Sequence, residues 1–300
     1  MRALQQLCYT NPMRTALSLA GPIVCLLLIV AGPAQARHAR RSATAEPQLR
    51  SSAVLVVDAD SSVVLLSRQA DVATSIASIT KLMTALVVLG SHQPLDEVLV
   101  VTNEDREHGR GARSRLATGT RLSRADLLHV ALMSSENRAA HALGRNYPGG
   151  LAAFVAAMNA RAASLGMRSA HFVDPTGLSS DNVASPADLA RLVDAAAGNA
   201  LIREYSTDRS HAVRVGRRMV EYRNTDSLVR NADWDIVVQK TGYISEAGRC
   251  LVLKAVIRDR TVVMVLLDSY GKYTRTADAR RIRKWLEARL ATPAGLDKPA

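Results

Sequence analysis

The chain contains few cysteines and few aromatic residues. Its 300 residues include three Cys, two Phe and two Trp, and aromatic side chains make up 4% of the composition. Three cysteines cannot form a disulfide framework, and the sequence has neither a Cys/His cluster nor a His-Glu-x-x-His motif that would hold zinc. Proteins that bind single-stranded nucleic acid stack the bases on aromatic rings, which are scarce here. We therefore expect no metal, no other cofactor and no nucleic-acid partner.

The remaining composition is that of an ordinary globular protein, with 48% hydrophobic and 22% charged residues. The length corresponds to one or two domains. A net charge of +12 indicates an acidic partner, although charge alone does not identify it.

The N-terminal segment has the pattern of a secretory signal peptide. Arg14 precedes an apolar run over residues 16–31, and Ala34-Gln35-Ala36 provides the small residues of a cleavage site. The alternative is a transmembrane anchor, but the run is slightly short for a span and Pro22 interrupts it. We therefore expect residues 1–36 to be removed and the mature protein to be periplasmic, without a transmembrane anchor.

Cleavage would leave Cys250 as the one cysteine of the mature chain, and its apolar surroundings predict a buried structural thiol. Residues 37–50 are predicted to be a flexible arm, 51–292 one catalytic domain and 293–300 a tail. Residues 102–121 are predicted to be a loop. The predicted strands are 52–58, 63–66, 236–240, 249–258 and 261–268. The predicted helices are 78–89, 123–132, a second helix that follows Ser135, 151–165, 186–197 and 277–290. Strands at both ends of a helical middle indicate an α+β fold whose sheet joins both termini.

Lysine is rare, since six of the 39 Lys and Arg residues are Lys. Arg keeps its proton in proteins, whereas a desolvated Lys can lose it. Ser78 and Lys81 lie one turn apart on one face of a predicted helix, whose N-terminus favours negative charge. If Lys81 is buried, its pKa falls toward that of a base and the pair forms an activated nucleophile. The alternative is an ordinary surface pair, and the same spacing recurs in Ser269 and Lys272, where Gly271 predicts a turn.

Two further motifs carry suitable chemistry. Ser135 and Asn137 lie at a break between two predicted helices, where a hydroxyl can pass a proton and an amide can bind a peptide carbonyl. The alternative is simple helix capping. Lys240-Thr241-Gly242 ends a predicted strand, where Lys and Thr can bind a carboxylate and Gly permits close backbone approach. The alternative there is a strand-end turn.

Together and in this order, the three motifs resemble the Ser-x-x-Lys, Ser-x-Asn and Lys-Thr-Gly motifs of penicillin-binding proteins and serine β-lactamases. Their surroundings, in residues 77–85, 132–140, 239–243 and 172–178, resemble the low-molecular-mass D-alanyl-D-alanine peptidases. The resemblance covers residues 50 to 290. It implies a β-lactamase- and transpeptidase-like fold, with an antiparallel five-stranded sheet, flanking helices and a helical subdomain.

The resemblance implies acyl transfer on the stem peptides of peptidoglycan. Ser78 would attack the carbonyl between two D-amino acids, Lys81 would accept its proton, and Ser135 would relay that proton to the leaving amine. The substrate-binding residues would be Asn137 for the backbone, Lys240 and Thr241 for the carboxylate, and Gly242 and Tyr243 beside them. The N–H groups of Ser78 and Tyr243 would form the oxyanion hole. β-Lactam antibiotics would mimic the substrate and remain covalently bound.

Within this family, a class A β-lactamase is disfavoured. Such enzymes need a Glu-x-x-Leu-Asn loop for deacylation, and the only Glu residues between Asn137 and Lys240 are Glu204 and Glu221, neither of which fits. After Gly242 there is room for two strands and a helix but not for the extra β-domain and tail anchor of many carboxypeptidases.

The short form resembles the soluble endopeptidases of the penicillin-binding protein 7 type, which cut peptidoglycan cross-links. A D-alanyl-D-alanine carboxypeptidase is the alternative. A second alternative is a non-catalytic, basic peptidoglycan-binding protein that uses Arg214, Arg217, Arg218 and Arg223.

Overall fold

A computed structural model of the chain describes residues 45–106 and 114–291, all within one structural unit. The predicted signal peptide, most of the predicted arm and the predicted tail lie outside the described residues. Within the described residues, no helix is long and apolar enough to cross a membrane.

The central element is a five-stranded antiparallel sheet. Its strands are β1 (Ser51–Asp58), β2 (Val64–Arg68), β9 (Asp235–Ile244), β10 (Gly248–Ile257) and β11 (Arg260–Ser269). Their order across the sheet is β2-β1-β11-β10-β9. Strand β1 pairs with β11, so the first and last strands of the chain meet inside the sheet, as predicted. Strand β9 forms one edge.

Seven α-helices and three small two-stranded sheets make up most of the remaining described chain. The helices are α1 (Thr80–Gly90), α2 (Arg124–Met133), α3 (Asn137–Arg145), α4 (Gly150–Ser164), α5 (Pro186–Ala197), α6 (Ala200–Thr207) and α7 (Thr274–Leu290). The small sheets pair β3 (Thr74–Ser75) with β6 (Val183–Ala184), β4 (Val98–Val100) with β5 (Arg121–Ser123), and β7 (Ser210–Val215) with β8 (Arg218–Arg223). Ser123 and Ser185 cap α2 and α5, and the side chain of each accepts a hydrogen bond from the N–H three residues later.

Successive side chains of a strand point to opposite faces of the sheet, and in the central strands both sets are apolar. Helices therefore cover both faces of the central sheet. In β10, Cys250 and Val252 join the larger core, which includes buried residues of α1, α2 and α5. Leu251 and Leu253 join the smaller core, which is closed by α7. The α+β architecture predicted from the sequence is confirmed, and the buried edge strand β9 adjoins the larger, helical side.

The structure adds elements that the sequence analysis missed. Helix α6, the β4–β5 pair and the β7–β8 hairpin were not predicted, and β5 begins at the last residue of the predicted loop 102–121. In β7 and β8, Val and Tyr alternate with Arg, Met and Glu, so each strand has only one apolar face. Their high charge resembles that of a solvated loop, which explains why the hairpin was missed.

A buried carboxylate fixes helix α3, which begins with Asn137. Asp105 is 1% exposed and accepts hydrogen bonds from the Thr102 N–H, from His141 Nδ1 at 2.8 Å and from Arg145 Nε and Nη2 at 3.0 Å. Burial raises the pKa of Asp105, but these hydrogen bonds and the Arg145 charge outweigh it and lower the pKa to about 2. Folding therefore favours the ionised form of Asp105.

We expect Asp105→Asn to lower the free energy of unfolding by about 2 kcal/mol at neutral pH. Since the folded-state pKa lies below the usual 3.8, the carboxylate stabilises the fold above that value, and this stability is lost as the pH falls to about 2. Urea unfolding of both proteins across this range tests the expectation. The exposed Asp96→Asn variant serves as the control, and a pH-independent difference for Asp105→Asn would contradict the assignment.

Cys250 is buried and unpaired, as predicted. Its Sγ lies 3.4 Å from the Ala247 carbonyl oxygen. Burial raises the pKa of the thiol to about 11, against the opposing effects of the Asp268 N–H and the Arg275 charge. Cys250 therefore remains protonated at neutral pH and is a poor nucleophile.

Cys250→Ala is expected to lower the free energy of unfolding by about 1–2 kcal/mol, because it removes a buried sulfur from a packed core. In the folded wild-type protein, a thiol reagent should label Cys250 only slowly, and labelling should become fast in denaturant. Peptide mass mapping locates the label. Rapid modification of Cys250 in the native state would show that the thiol is accessible and reactive.

Candidate active site

Ser78 lies in a short 3-10 helix, Ala77–Ile79, which leads directly into α1. Ala77 has a φ angle of +47°, an unfavourable conformation for a residue with a Cβ atom. Thr80 Oγ1 donates a hydrogen bond to the Ala77 carbonyl oxygen at 2.7 Å. Gly177 packs against the same carbonyl so closely that a Cβ atom there would lie 2.0 Å from the oxygen. Tertiary contacts therefore hold the Ser78 turn in a strained conformation.

Lys81 connects this turn to two distant segments. Its side chain is buried, and its Nζ lies 2.9 Å from Ser78 Oγ, 2.6 Å from Asn137 Oδ1 and 2.6 Å from the Thr176 carbonyl oxygen. Ser78 and Lys81 thus lie together, as their spacing suggested, and Asn137 joins them from the start of α3. The sequence analysis missed the Thr176 contact because a backbone carbonyl has no residue signature.

The turn that presents Thr176 is fixed by an aspartate. Asp174 accepts hydrogen bonds from Thr176 Oγ1 at 2.6 Å, from the Gly177 N–H at 2.8 Å and from the Ser179 N–H at 3.0 Å. Gly177 has a φ angle of +77°, which glycine adopts at little cost. The segment 172–178, in which a turn was predicted, therefore positions a carbonyl on Lys81.

Ser135 lies between α2 and α3, two residues before Asn137 and with a φ angle of +60°. Its neighbour Glu136 caps α3 by accepting a hydrogen bond from the Arg138 N–H at 3.3 Å. Capping at this break is therefore performed by Glu136. The role of the Ser135 hydroxyl in proton transfer stays a prediction.

Lys240, Thr241 and Gly242 lie on the edge strand β9, beside the Ser78 turn. A Cβ atom at Gly242 would lie 2.9 Å from the Ile76 carbonyl oxygen and 3.1 Å from the Ser78 nitrogen. Glycine thus permits the close approach of β9 to the nucleophile turn. Thr241 Oγ1 lies 2.6 Å from Thr225 Oγ1.

The Lys240 side chain is fully buried, and its Nζ donates a hydrogen bond to the Thr241 carbonyl oxygen at 3.0 Å. Burial lowers the pKa of Lys240 well below its usual value, and the charges of Lys81 and Arg275 lower it further. The carboxylate of Asp226 acts in the opposite direction. An anion that binds here would stabilise the protonated form of Lys240, whose charge burial has separated from water.

Arg275 is a site residue that the sequence analysis missed. From the first turn of α7, its Nη1 donates hydrogen bonds to the Gly242 carbonyl oxygen at 2.7 Å and to the Cys250 carbonyl oxygen at 3.2 Å. Burial lowers the pKa of Arg275. The guanidinium therefore braces the end of β9 and adds to the positive charge around Lys240.

Tyr243 follows Gly242 and is 55% exposed. The guanidinium of Arg249, its partner across the β9–β10 pair, lies 4.3 Å from the centre of its ring. The ring is therefore exposed at one end of residues 240–243, which are called the β9 segment below. The oxyanion-hole role of the Tyr243 N–H stays a prediction. Among the described residues, no group of three or more His, Cys, Asp or Glu side chains could hold a metal ion.

Several known proteins are similar to this chain in sequence and in architecture. A family model described as D-alanyl-D-alanine carboxypeptidase, peptidase family S11, matches residues 40–271. A D-alanyl-D-alanine endopeptidase from Pseudomonas aeruginosa is 47% identical over 82% of this chain and 80% of its own length. A D-alanyl-D-alanine endopeptidase from Escherichia coli strain K12 is 42% identical over 89% of this chain and 88% of its own length. Relatives named D-alanyl-D-alanine carboxypeptidase are 24–28% identical.

The structure of the Streptomyces K15 DD-transpeptidase is similar, with a TM-score of 0.75 and 25% identity over 80% of this chain and 98% of the other. The family model, the endopeptidase relatives and the shared fold lead to one conclusion: the chain belongs to the D-alanyl-D-alanine carboxypeptidase family, peptidase family S11, and is a serine peptidase.

Proposed function

We propose that the protein is a periplasmic serine D,D-peptidase that hydrolyses peptidoglycan cross-links through an acyl-enzyme. The observation that supports this chemistry is the 2.9 Å distance between Ser78 Oγ and the Nζ of the buried Lys81. A nucleophile and a base within hydrogen-bond distance, with the base oriented by further groups, are the requirements for nucleophilic catalysis. Asn137 Oδ1 and the Thr176 carbonyl oxygen orient the Lys81 amine.

The proposed reaction begins when Lys81 accepts the proton of Ser78 Oγ, and this oxygen attacks the carbonyl carbon between two D-amino acids. Ser135 relays the proton to the leaving amine, and the N–H groups of Ser78 and Tyr243 stabilise the oxyanion. Water then hydrolyses the ester and regenerates Ser78. A β-lactam would follow the same first step and remain attached, because its leaving group stays part of the adduct.

Binding of the substrate's carboxylate is assigned to the β9 segment. Lys240 and Thr241 lie on this strand, and Arg275 braces its end from α7. The buried positive charge of this region favours an anion, and Gly242 leaves room for the backbone beside Ser78. Asn137, at the start of α3, would hold the substrate backbone.

The choice of endopeptidase over carboxypeptidase is supported by the relatives that carry the former name, which have much higher identity than those that carry the latter. An efficient class A β-lactamase is not supported. Of the two Glu residues between Asn137 and Lys240, Glu204 is exposed on α6 and Glu221 is exposed on β8, where it pairs with Arg223 at 3.3 Å. Neither is a buried carboxylate of the kind that would activate a deacylating water.

We expect Lys81→Arg to reduce the rate of penicillin acylation by about 10²–10⁴-fold, because Arg keeps its proton and cannot act as the base. The rate is measured from the mass increase of the protein. Lys254→Arg is a matched control, since Lys254 pairs with Asp194 near the surface and Arg can preserve that contact. Wild-type acylation by Lys81→Arg would exclude Lys81 as the base.

A second prediction concerns the bond that is cut. An endopeptidase must accommodate a second stem peptide beyond the scissile bond, so the purified protein should convert cross-linked dimeric muropeptides to monomers faster than it trims free pentapeptides. Chromatography of the products measures both reactions, and Ser78→Ala should abolish both. Release of D-Ala from pentapeptides with dimers left intact would overturn the endopeptidase assignment and retain the acyl-enzyme mechanism.

A further inference from the structure

The hairpin formed by β7, the turn at residues 216–217 and β8, named here the arginine hairpin, has two chemically different faces. Cross-strand pairs place His211 with Tyr222 and Val213 with Val220 on one face. Tyr222 and Val213 are buried, so this face packs against the protein. The other face is exposed and carries Arg and Met residues, including Met219, which is 58% exposed.

Positive charge is concentrated at the free end of the arginine hairpin. Arg214, Arg217 and Arg218 lie within five residues of one another and are exposed. None of the three forms an ion pair within residues 45–106 and 114–291. Glu221, the acidic residue of β8, is paired with Arg223 nearer the base. The free end therefore presents three guanidinium groups that are available to an anionic partner.

The base of the hairpin is anchored to the rest of the protein by contacts from both strands. His211 stacks on the ring of His129 in α2 with 4.0 Å between ring centres, and its Nε2 lies 2.9 Å from Asp126 Oδ1. On the opposite strand, the Arg115 guanidinium lies 3.9 Å from the centre of the Tyr222 ring, and Arg115 also donates to the Glu221 carbonyl oxygen at 2.6 Å. The three arginines are thus presented on an anchored support.

The hairpin also adjoins the candidate active site. After β8, the chain continues directly to Thr225, whose N–H donates to the Met133 carbonyl oxygen at 3.1 Å. The Thr225 hydroxyl lies 2.6 Å from that of Thr241, on the strand that carries Lys240. A polymer that follows the arginine hairpin from its free end to its base would therefore reach the β9 segment.

We infer that the arginine hairpin is a docking surface for peptidoglycan, which it binds through carboxylates of stem peptides other than the one being cut. This inference rests on the proposed function, since the wall is the anionic polymer that such an enzyme meets. Guanidinium groups recognise carboxylates by paired, charge-assisted hydrogen bonds. An anionic membrane is a poorer partner, because membrane-surface elements insert an apolar face and the apolar face of this hairpin packs inward.

The test compares two triple variants that remove the same charge. Arg214, Arg217 and Arg218 are replaced by Gln in one, and the exposed Arg161, Arg168 and Arg258 are replaced by Gln in the other. Both are made in a Ser78→Ala background so that the wall is not cut. Affinity for purified, insoluble peptidoglycan is measured by co-sedimentation at several salt concentrations, and vesicles of phosphatidylglycerol and phosphatidylethanolamine form a second arm.

The hairpin variant should bind peptidoglycan about tenfold more weakly, as expected for the loss of three exposed ionic contacts, and with a shallower salt dependence. The control variant should change by less than about twofold. Equal losses in both variants would show that net charge alone causes the effect, which would overturn the inference. Unchanged binding by the hairpin variant would overturn it as well. A loss confined to vesicles would assign the hairpin to a membrane instead.

Two further measurements separate this inference from the proposed function. With Ser78 intact, the hairpin variant should be acylated by penicillin at the wild-type rate, which also verifies its folding. It should cleave soluble dimeric muropeptides normally and release fragments from intact peptidoglycan more slowly. If the wild-type protein binds the wall through the hairpin but cleaves no dimers, the docking surface stands and the endopeptidase proposal fails.

Discussion

The amino group of Lys81 is the point at which three distant parts of the chain meet. Ser78, Asn137 and Thr176 each contribute an oxygen atom to it. Burying polar groups without partners is costly, so the mutual satisfaction of these groups fixes the relative positions of the Ser78 turn, α3 and the turn at Thr176. Two close backbone approaches, at Gly177 and Gly242, support the arrangement because a side chain at either position would collide with the Ser78 turn.

The balance of charge follows from the same packing. Lys240 is fully buried beside the charge of Lys81 and Arg275 is half-buried, and burial lowers the pKa of both Lys240 and Arg275. Asp226 opposes this effect on both, although burial raises its own pKa and its Oδ2 has no hydrogen-bond partner within the described part of the chain. In the proposed reaction, the carboxylate of the substrate supplies the missing negative charge. Substrate binding then raises the pKa of Lys240, which couples the charge of the site to its occupancy.

The sequence alone predicted the sheet that joins both termini and most of the long helices, because their patterns of apolar residues are regular. It also identified Ser78, Lys81 and Asn137, which the structure brings together. Arg275 was missed because α7 contains many arginines and the pattern does not show which one reaches the carbonyls of β9 and β10. The hydrogen bonds that Asp105 accepts from His141 and Arg145 were missed because they join residues far apart in sequence. Their contact depends on the packing of α3.

Positive charge has two different roles in this protein if it binds both a small substrate and the wall. Around Lys240 it is buried, so its interaction with a carboxylate is strong, short-ranged and weakly affected by salt. At Arg214, Arg217 and Arg218 it is exposed, so its interactions are screened beyond about 8 Å at physiological ionic strength. Salt should therefore release the protein from a polymer and leave the binding of a small substrate nearly unchanged. Exposed and buried positive charges can therefore act separately in one enzyme. The exposed arginines hold the wall by weak, exchangeable contacts, and the buried charge around Lys240 selects the bond to be cut by a specific contact.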